Sequence, residues 1–126
     1  NPISKGFSYA QAAIAPAAAT QRWTYTVPAA KKFVLQFYSN TLLRDSVAGV
    51  AARAECYLRY TPSGGSAQFL TFAPTLSNVI GSGQALFAMG TTILASGDQI
   101  DGFTQDSSTG GTFIYGNTMQ GIEFDA

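Results

Sequence analysis

A chain of 126 residues is long enough for one domain with its own core and short for two. Seven basic and seven acidic residues cancel, so charged side chains make up 11% of the chain where a soluble domain carries roughly 25%, and histidine is absent. This composition excludes Ser-His and Cys-His nucleophiles, a Cys/His zinc site, an intrachain disulfide on the single Cys56, and a phosphate-gripping patch, since no basic cluster exceeds Lys31 with Lys32.

A surface so poor in charge implies coverage by other chains; the competing reading is solvation by Ser, Thr, Asn and Gln. No apolar run approaches the roughly 18–20 residues of a bilayer crossing, and the first residues lack the charged-then-apolar order of an export signal. The sequence therefore predicts neither a membrane nor a nucleic-acid partner.

Residues 1–20 carry one charge, Lys5, and scattered apolar side chains. Two helical turns over 9–15 would be marginal and would end at Pro16, so the segment reads as an extended arm on its own body or a neighbouring subunit, or as an ordinary first strand. The domain proper is expected over 21–126. Within 22–27, Trp23, Tyr25 and Val27 share one face, and Pro28 ends the strand. A turn over 29–32 leads to a nearly continuous apolar strand over 33–39, then a connection over 40–49.

The segment 50–61 is the predicted centre of the fold. Val50, Ala52, Ala54, Cys56, Leu58 and Tyr60 fall on one side, and Ala51, Arg53, Glu55, Tyr57 and Arg59 on the other. That is the pattern of a half-buried strand whose small inward row needs bulk from an opposing sheet, supplied by Phe33, Leu35 and Phe37. Pro62-Ser63-Gly64-Gly65-Ser66 makes a turn, and 68–72 returns as a hairpin. Strands follow over 84–89 and 91–95, a turn at Ser96-Gly97-Asp98, and a strand over 99–105. A Gly-rich hairpin loop over 106–111 precedes strands over 112–115 and 119–124, with a kink at Gly116 and Asn117. Short strands spaced by turn signals predict an all-β fold: an antiparallel β-sandwich or jelly roll with an extended N-terminal arm.

Chemistry is sparse. Asp98, Asp101 and Asp106 are expected near one rim, where a carboxylate pair would suit glycoside hydrolysis and oxygen ligands would suit calcium. Turn capping explains Asp98 and Asp106 without either. We therefore expect no enzyme, no catalytic residue, no metal and no cofactor. Trp23, Tyr25 and Tyr38 would offer stacking faces to a sugar if exposed, although Trp23 alternates as a core residue. Tyr57 and Arg59, flanked by Glu55 and Arg53, form either a solvated ladder or anchors of a subunit contact. With Phe7, Tyr9 and Ile14 of the arm, Tyr57 and Arg59 are the predicted contact residues.

Tyr25-Thr26-Val27-Pro28-Ala29-Ala30-Lys31-Lys32 followed by Phe33-Val34-Leu35-Gln36 resembles the strand-turn-strand opening of small β-sandwich virion proteins of tailed bacteriophages. Tyr60-Thr61-Pro62-Ser63-Gly64-Gly65, Ile93-Leu94-Ala95-Ser96-Gly97-Asp98-Gln99-Ile100 and Gly121-Ile122-Glu123-Phe124 are similar to that group's hairpin, Gly-Asp turn and closing strand. Ala30 stands where the group more commonly has glycine. The resemblance implies a capsid decoration or cement protein on the outer surface of a phage head, bridging neighbouring major capsid subunits as a homo-oligomer, trimer first and dimer second. The alternative it implies is a tail or fibre accessory, a receptor- or carbohydrate-binding module.

Overall fold

The computed structural model describes residues 2–44, 54–72, 83–107 and 110–126. Alternation of apolar and polar side chains draws them into eight strands: β1 (Ile3–Ile14), β2 (Thr20–Thr26), β3 (Lys31–Arg44), β4 (Ala54–Thr61), β5 (Gln68–Phe72), β6 (Gly83–Leu94), β7 (Gln99–Asp106) and β8 (Phe113–Asp125). They form two four-stranded sheets, one in the order β1-β8-β3-β6 and the other β2-β7-β4-β5. Every neighbouring pair is antiparallel. Only β4 and β5 are consecutive strands of one sheet; each other step along the chain changes sheet. This is the strand order of a jelly roll, as predicted.

The inward row of β8 is Phe113, Tyr115, Asn117, Met119, Gly121 and Glu123, each buried. Facing it are the small β4 residues Ala54, Cys56 and Leu58, all 0% exposed. The bulk that fills the gap differs in part from the predicted set. Phe33 and Leu35 point inward, but the register of β3 against both β6 and β8 shifts between Leu35 and Phe37. That bulge turns Phe37 outward, opposite the exposed Gln120, and brings Tyr38, Asn40 and Leu42 inward. Trp23 lies against Gly102, where a Cβ would come within 2.0 Å of the indole nitrogen. Its Nε1 donates to the Tyr115 hydroxyl at 3.0 Å, which donates to Asn40 Oδ1 at 3.0 Å. Asn117 Nδ2 donates to the same oxygen at 3.0 Å. The two sheets are thus joined by a buried polar chain as well as by apolar contact.

Several boundaries differ from the sequence reading. The predicted kink at Gly116 and Asn117 is absent: β8 pairs with β1 and β3 straight through both residues, because Asn117 finds its polar partners inside the sandwich. The strands expected over 84–89 and 91–95 are one, β6. The loop 106–111 is no hairpin, since it carries the chain from β7 in one sheet to β8 in the other. Residues 50–53 of the predicted central strand lie outside the described residues. From Ala54 to Leu58 that strand is buried on both faces, with Glu55 at 9% and Tyr57 at 8% exposure, where one face was expected to be open.

The segment 3–14 is extended against its own body as the edge strand β1, and the marginal helix over 9–15 does not form. At one end of the sandwich three turns are tied together through Asp98. Its carboxylate accepts from the backbone N–H of Ser63 and of Ala95, each at 2.9 Å, and from the Tyr60 hydroxyl at 3.0 Å. Val27 N–H donates to Asp98 O and Gly97 N–H to Val27 O, both at 2.9 Å. Gly97 takes a φ of 86° there, as its place in the turn requires.

Candidate functional site: the outer faces of the two sheets

The three aspartates do not gather. Asp98 and Asp106 stand at opposite ends of β7, which at 3.3 Å per residue puts them roughly 25 Å apart. Their expected shared rim is thereby overturned by the length of the strand between them. Asp101 is 1% exposed and accepts from Arg59 Nη2 at 3.4 Å and Gln99 Nε2 at 3.2 Å. Burial pushes the Asp98 carboxyl up, but the two backbone N–H groups and the Tyr60 hydroxyl outweigh it and hold the group below the usual carboxylate range. This is a turn-binding carboxylate with its acceptor capacity engaged. Among the described residues no group of three or more acidic or cysteine side chains is placed to hold a metal ion.

The sugar-stacking candidates are turned inward. Trp23 and Tyr38 are each 8% exposed, and Tyr25 donates to Glu123 Oε2 at 3.0 Å, leaving no flat aromatic platform among the three. Burial, then the bond to Glu123, raises the Tyr25 phenol above its ordinary range.

Of the predicted contact residues, Ile14 is 3% exposed and belongs to the core. Tyr9 is half-buried, donates to Gln11 Oε1, and packs against Tyr115 with ring centroids 6.0 Å apart. Phe7 pairs through its backbone with Met119, and its side chain lies outside the described set. Tyr57 and Arg59 come together on the outer face of the β2-β7-β4-β5 sheet. There the directly opposed pairs with β7 are Glu55 and Gln105, Tyr57 and Phe103, Arg59 and Asp101. Gln105 donates to Glu55, Tyr57 stacks on Phe103 at 5.4 Å and 2°, and the Arg59 guanidinium lies 4.2 Å from the Phe103 centroid. Opposed pairs of this kind stabilise the sheet by roughly 0.2–1 kcal/mol each. The ladder is engaged within its own sheet, with part of Arg59, at 34% side-chain exposure, still open to a partner.

The outer face of the other sheet is different in character. The strand register sets Ile93, Val34 and Ile122 side by side across β6, β3 and β8, with Phe124 beyond Ile122 and opposite Lys32. Ile93 is 61% exposed, and Val34, Ile122 and Phe124 are half-buried. The other described positions of the face on β1, β3 and β8 are Ser4, Gly6, Ser8 and Ala10 of β1, Phe37, Ser39, Thr41 and Leu43 of β3, and Ile114, Gly116, Thr118 and Gln120 of β8. Lys32 is the charged residue among these described positions. The contact candidates did not include Val34, Ile93, Ile122 or Phe124. The signal was present: an apolar run such as 33–38, unbroken but for Gln36, puts apolar side chains on both faces of a strand and so announces two contacts.

No protein-family model and no curated protein sequence matches the chain. Solved structures do. A chain of the infectious bursal disease virus structure, Gx strain, is similar over 100% of this chain, with a TM-score of 0.52 and 7% identity. This chain spans 34% of that one, about a third of its length. A chain of Desmodium yellow mottle tymovirus matches over 100% of this chain and 87% of its own, at 10% identity and a TM-score of 0.48. The SPBc2 prophage-derived protein YomS matches over 94% and 95%, at 10% identity and 0.46. At such identities the likeness to the bursal disease virus chain concerns the fold: this protein has the jelly-roll architecture found in that virus structure.

Proposed function

We propose that the protein is a non-enzymatic structural component of a virion, acting as a decoration or cement protein on the outer surface of a phage head. It bridges neighbouring major capsid subunits as a homo-oligomer, a trimer first and a dimer second. The observation that carries this reading is the outer face of the β1-β8-β3-β6 sheet, where Ile93, Val34, Ile122 and Phe124 lie together and Lys32 is the charged residue among the described positions. A face of that kind suits burial against another protein better than hydration. The jelly-roll fold, shared with a virus structure, supports it. So does the engagement of Asp98 and Asp101 in turn and ladder bonds, which leaves them no role in turnover.

The physical action is linkage. A protein that binds the assembled shell and not its dissociated subunits stabilises the shell by RT ln(1 + [L]/Kd), about 2.7 kcal/mol at a hundred times Kd, and joined copies add effective concentration. Particles stripped of the protein should lose heat and osmotic resistance, and adding it back should restore both. Stripped particles as resistant as intact ones would sink the reading.

A further inference from the structure

Arg22 is a cation that the fold draws in without giving it a counter-charge. Of the described cations, Lys5 faces Glu123, Lys31 faces Asp125 and Arg59 faces Asp101. Among the described residues no carboxylate pairs with Lys32 or Arg22; Lys32 is exposed to water, whereas Arg22 is half-buried.

A bulge places it. The register of β2 against β7 shifts between Gln21 and Trp23, so Arg22 has no partner of its own on β7 and points, like Trp23, into the space between the sheets. Its Nε donates to Oγ1 of the buried Thr104 at 2.8 Å, and its Nη1 donates to Oε1 of Gln11 on β1 at 3.3 Å. A guanidinium accepts nothing, so that bond decides which end of the Gln11 amide faces it. The Tyr9 hydroxyl donates to the same oxygen and holds it there, which directs Gln11 Nε2 away as a second donor beside the guanidinium.

β1 and β2 are end strands of their sheets, and the Arg22–Gln11 bond spans the gap between those two edges. Nη2 is not sealed in, since the buried side-chain nitrogens without a partner among the described residues belong to Asn40 and Arg59. Arg22 is thus a guanidinium fixed at two nitrogens by neutral oxygens, with its third nitrogen open at the side of the sandwich. Part of its hydration and of its rotamer freedom is already lost, so an anion that reaches it meets a pre-organised fork.

The matching anion is a carboxylate. A phosphate is held by several cations, and the nearest on β1, Lys5, lies six residues from Gln11, roughly 20 Å along the strand. A planar carboxylate suits a single fork. A second copy has none to spare among its described residues: Glu55 accepts from Gln105, Asp98 from two turns, Asp101 from Arg59, Glu123 from Tyr25 and Asp125 from Lys31, and Asp106 is buried.

We propose that Arg22 receives an aspartate or glutamate side chain of a shell subunit, with Gln11 Nε2 as the flanking donor. The inference rests on the shell-binding reading above and deepens it: a bridge needs two contacts, of which the apolar outer face supplies one and the β1/β2 side of the sandwich the other.

Two variants test this on stripped particles. Arg22→Gln should weaken co-sedimentation roughly tenfold or more at low salt, with its circular dichroism unchanged. Arg22→Lys puts an amine at the same place, and a carbodiimide should then join it directly to a shell carboxylate, a link that peptide mass spectrometry locates at position 22. Undiminished binding by Arg22→Gln overturns the proposal, and so does a position-22 link to a second copy of this chain, or no link there. Should Arg22→Gln fail to fold, the cross-link decides alone. Loss of binding in Ile93→Glu but not in Arg22→Gln leaves the shell-binding reading standing while this one falls, and wild-type protein that does not bind stripped particles ends both.

Discussion

Ala30 occupies the β2–β3 turn at a φ of 60°, a region that favours glycine. Ala30→Gly removes steric strain of roughly 1–2 kcal/mol and adds flexibility to the unfolded chain, so it should raise stability by roughly 0.5–1 kcal/mol, read as a higher urea midpoint at unchanged slope. Asp98 supports the neighbouring turns through three accepted hydrogen bonds. Its pKa is depressed in the folded state, so its contribution is present above the unfolded value of about 3.9 and is lost as pH falls through the folded one. Asp98→Asn should cost about 2–3 kcal/mol at neutral pH and flatten the acid limb of stability, measured by denaturant titration between pH 6 and pH 2. An acid limb unchanged in the variant would show that Asp98 does not carry this linkage. The turn role of Asp98 was legible from Ser96-Gly97-Asp98, because Asp after Gly caps its own backbone. Its bond to Ser63, 35 residues away, was not, because it depends on which turns meet at one end.

At the scale of elements the alternation rule worked until a bulge intervened. On β4 it placed Ala54, Cys56 and Leu58 inward, and over 22–27 it placed Trp23 and Val27 inward, all of which are buried. On β3 it held through Leu35 and then failed at Phe37, since one extra residue reverses every later side chain. The bulge has a measurable signature. Leu35→Ala removes a side chain that is 5% exposed and should cost about 2–5 kcal/mol, while Phe37→Ala, though it deletes more atoms, should cost clearly less. Equal losses in chemical denaturation would place Phe37 in the core after all. The predicted kink at Gly116 and Asn117 failed for a related reason. Residues with turn character read as a break in one dimension, but Asn117 has the Ser39 carbonyl at 3.1 Å and Asn40 Oδ1 at 3.0 Å inside the sandwich.

For the molecule as a whole, the low charge content was the most informative feature of the sequence, and the structure shows where its effect concentrates. Ile93→Glu or Ile122→Glu puts a carboxylate on the outer face without touching the core, so thermal stability should move by no more than about 0.5 kcal/mol. Binding to stripped particles, measured by co-sedimentation, should fall at least tenfold in both. Undiminished binding would move the contact elsewhere, to the Tyr57 and Arg59 ladder. The sequence could not show which apolar residues form that surface, because the patch is assembled from β3, β6 and β8 and exists only once the register is known.

β8 lies between β1 and β3, yet it is translated after every other strand described. On the ribosome, β1 and β3 wait for the strip that must separate them, and the sheet they belong to closes only when residues 113–125 have emerged. Nascent chains halted before that point would present to one another the edges of β1 and β3 that β8 covers in the finished sheet, an invitation to clump. Closure of this sheet is therefore set by the emergence of 113–125 rather than by gradual accretion from the N-terminal side.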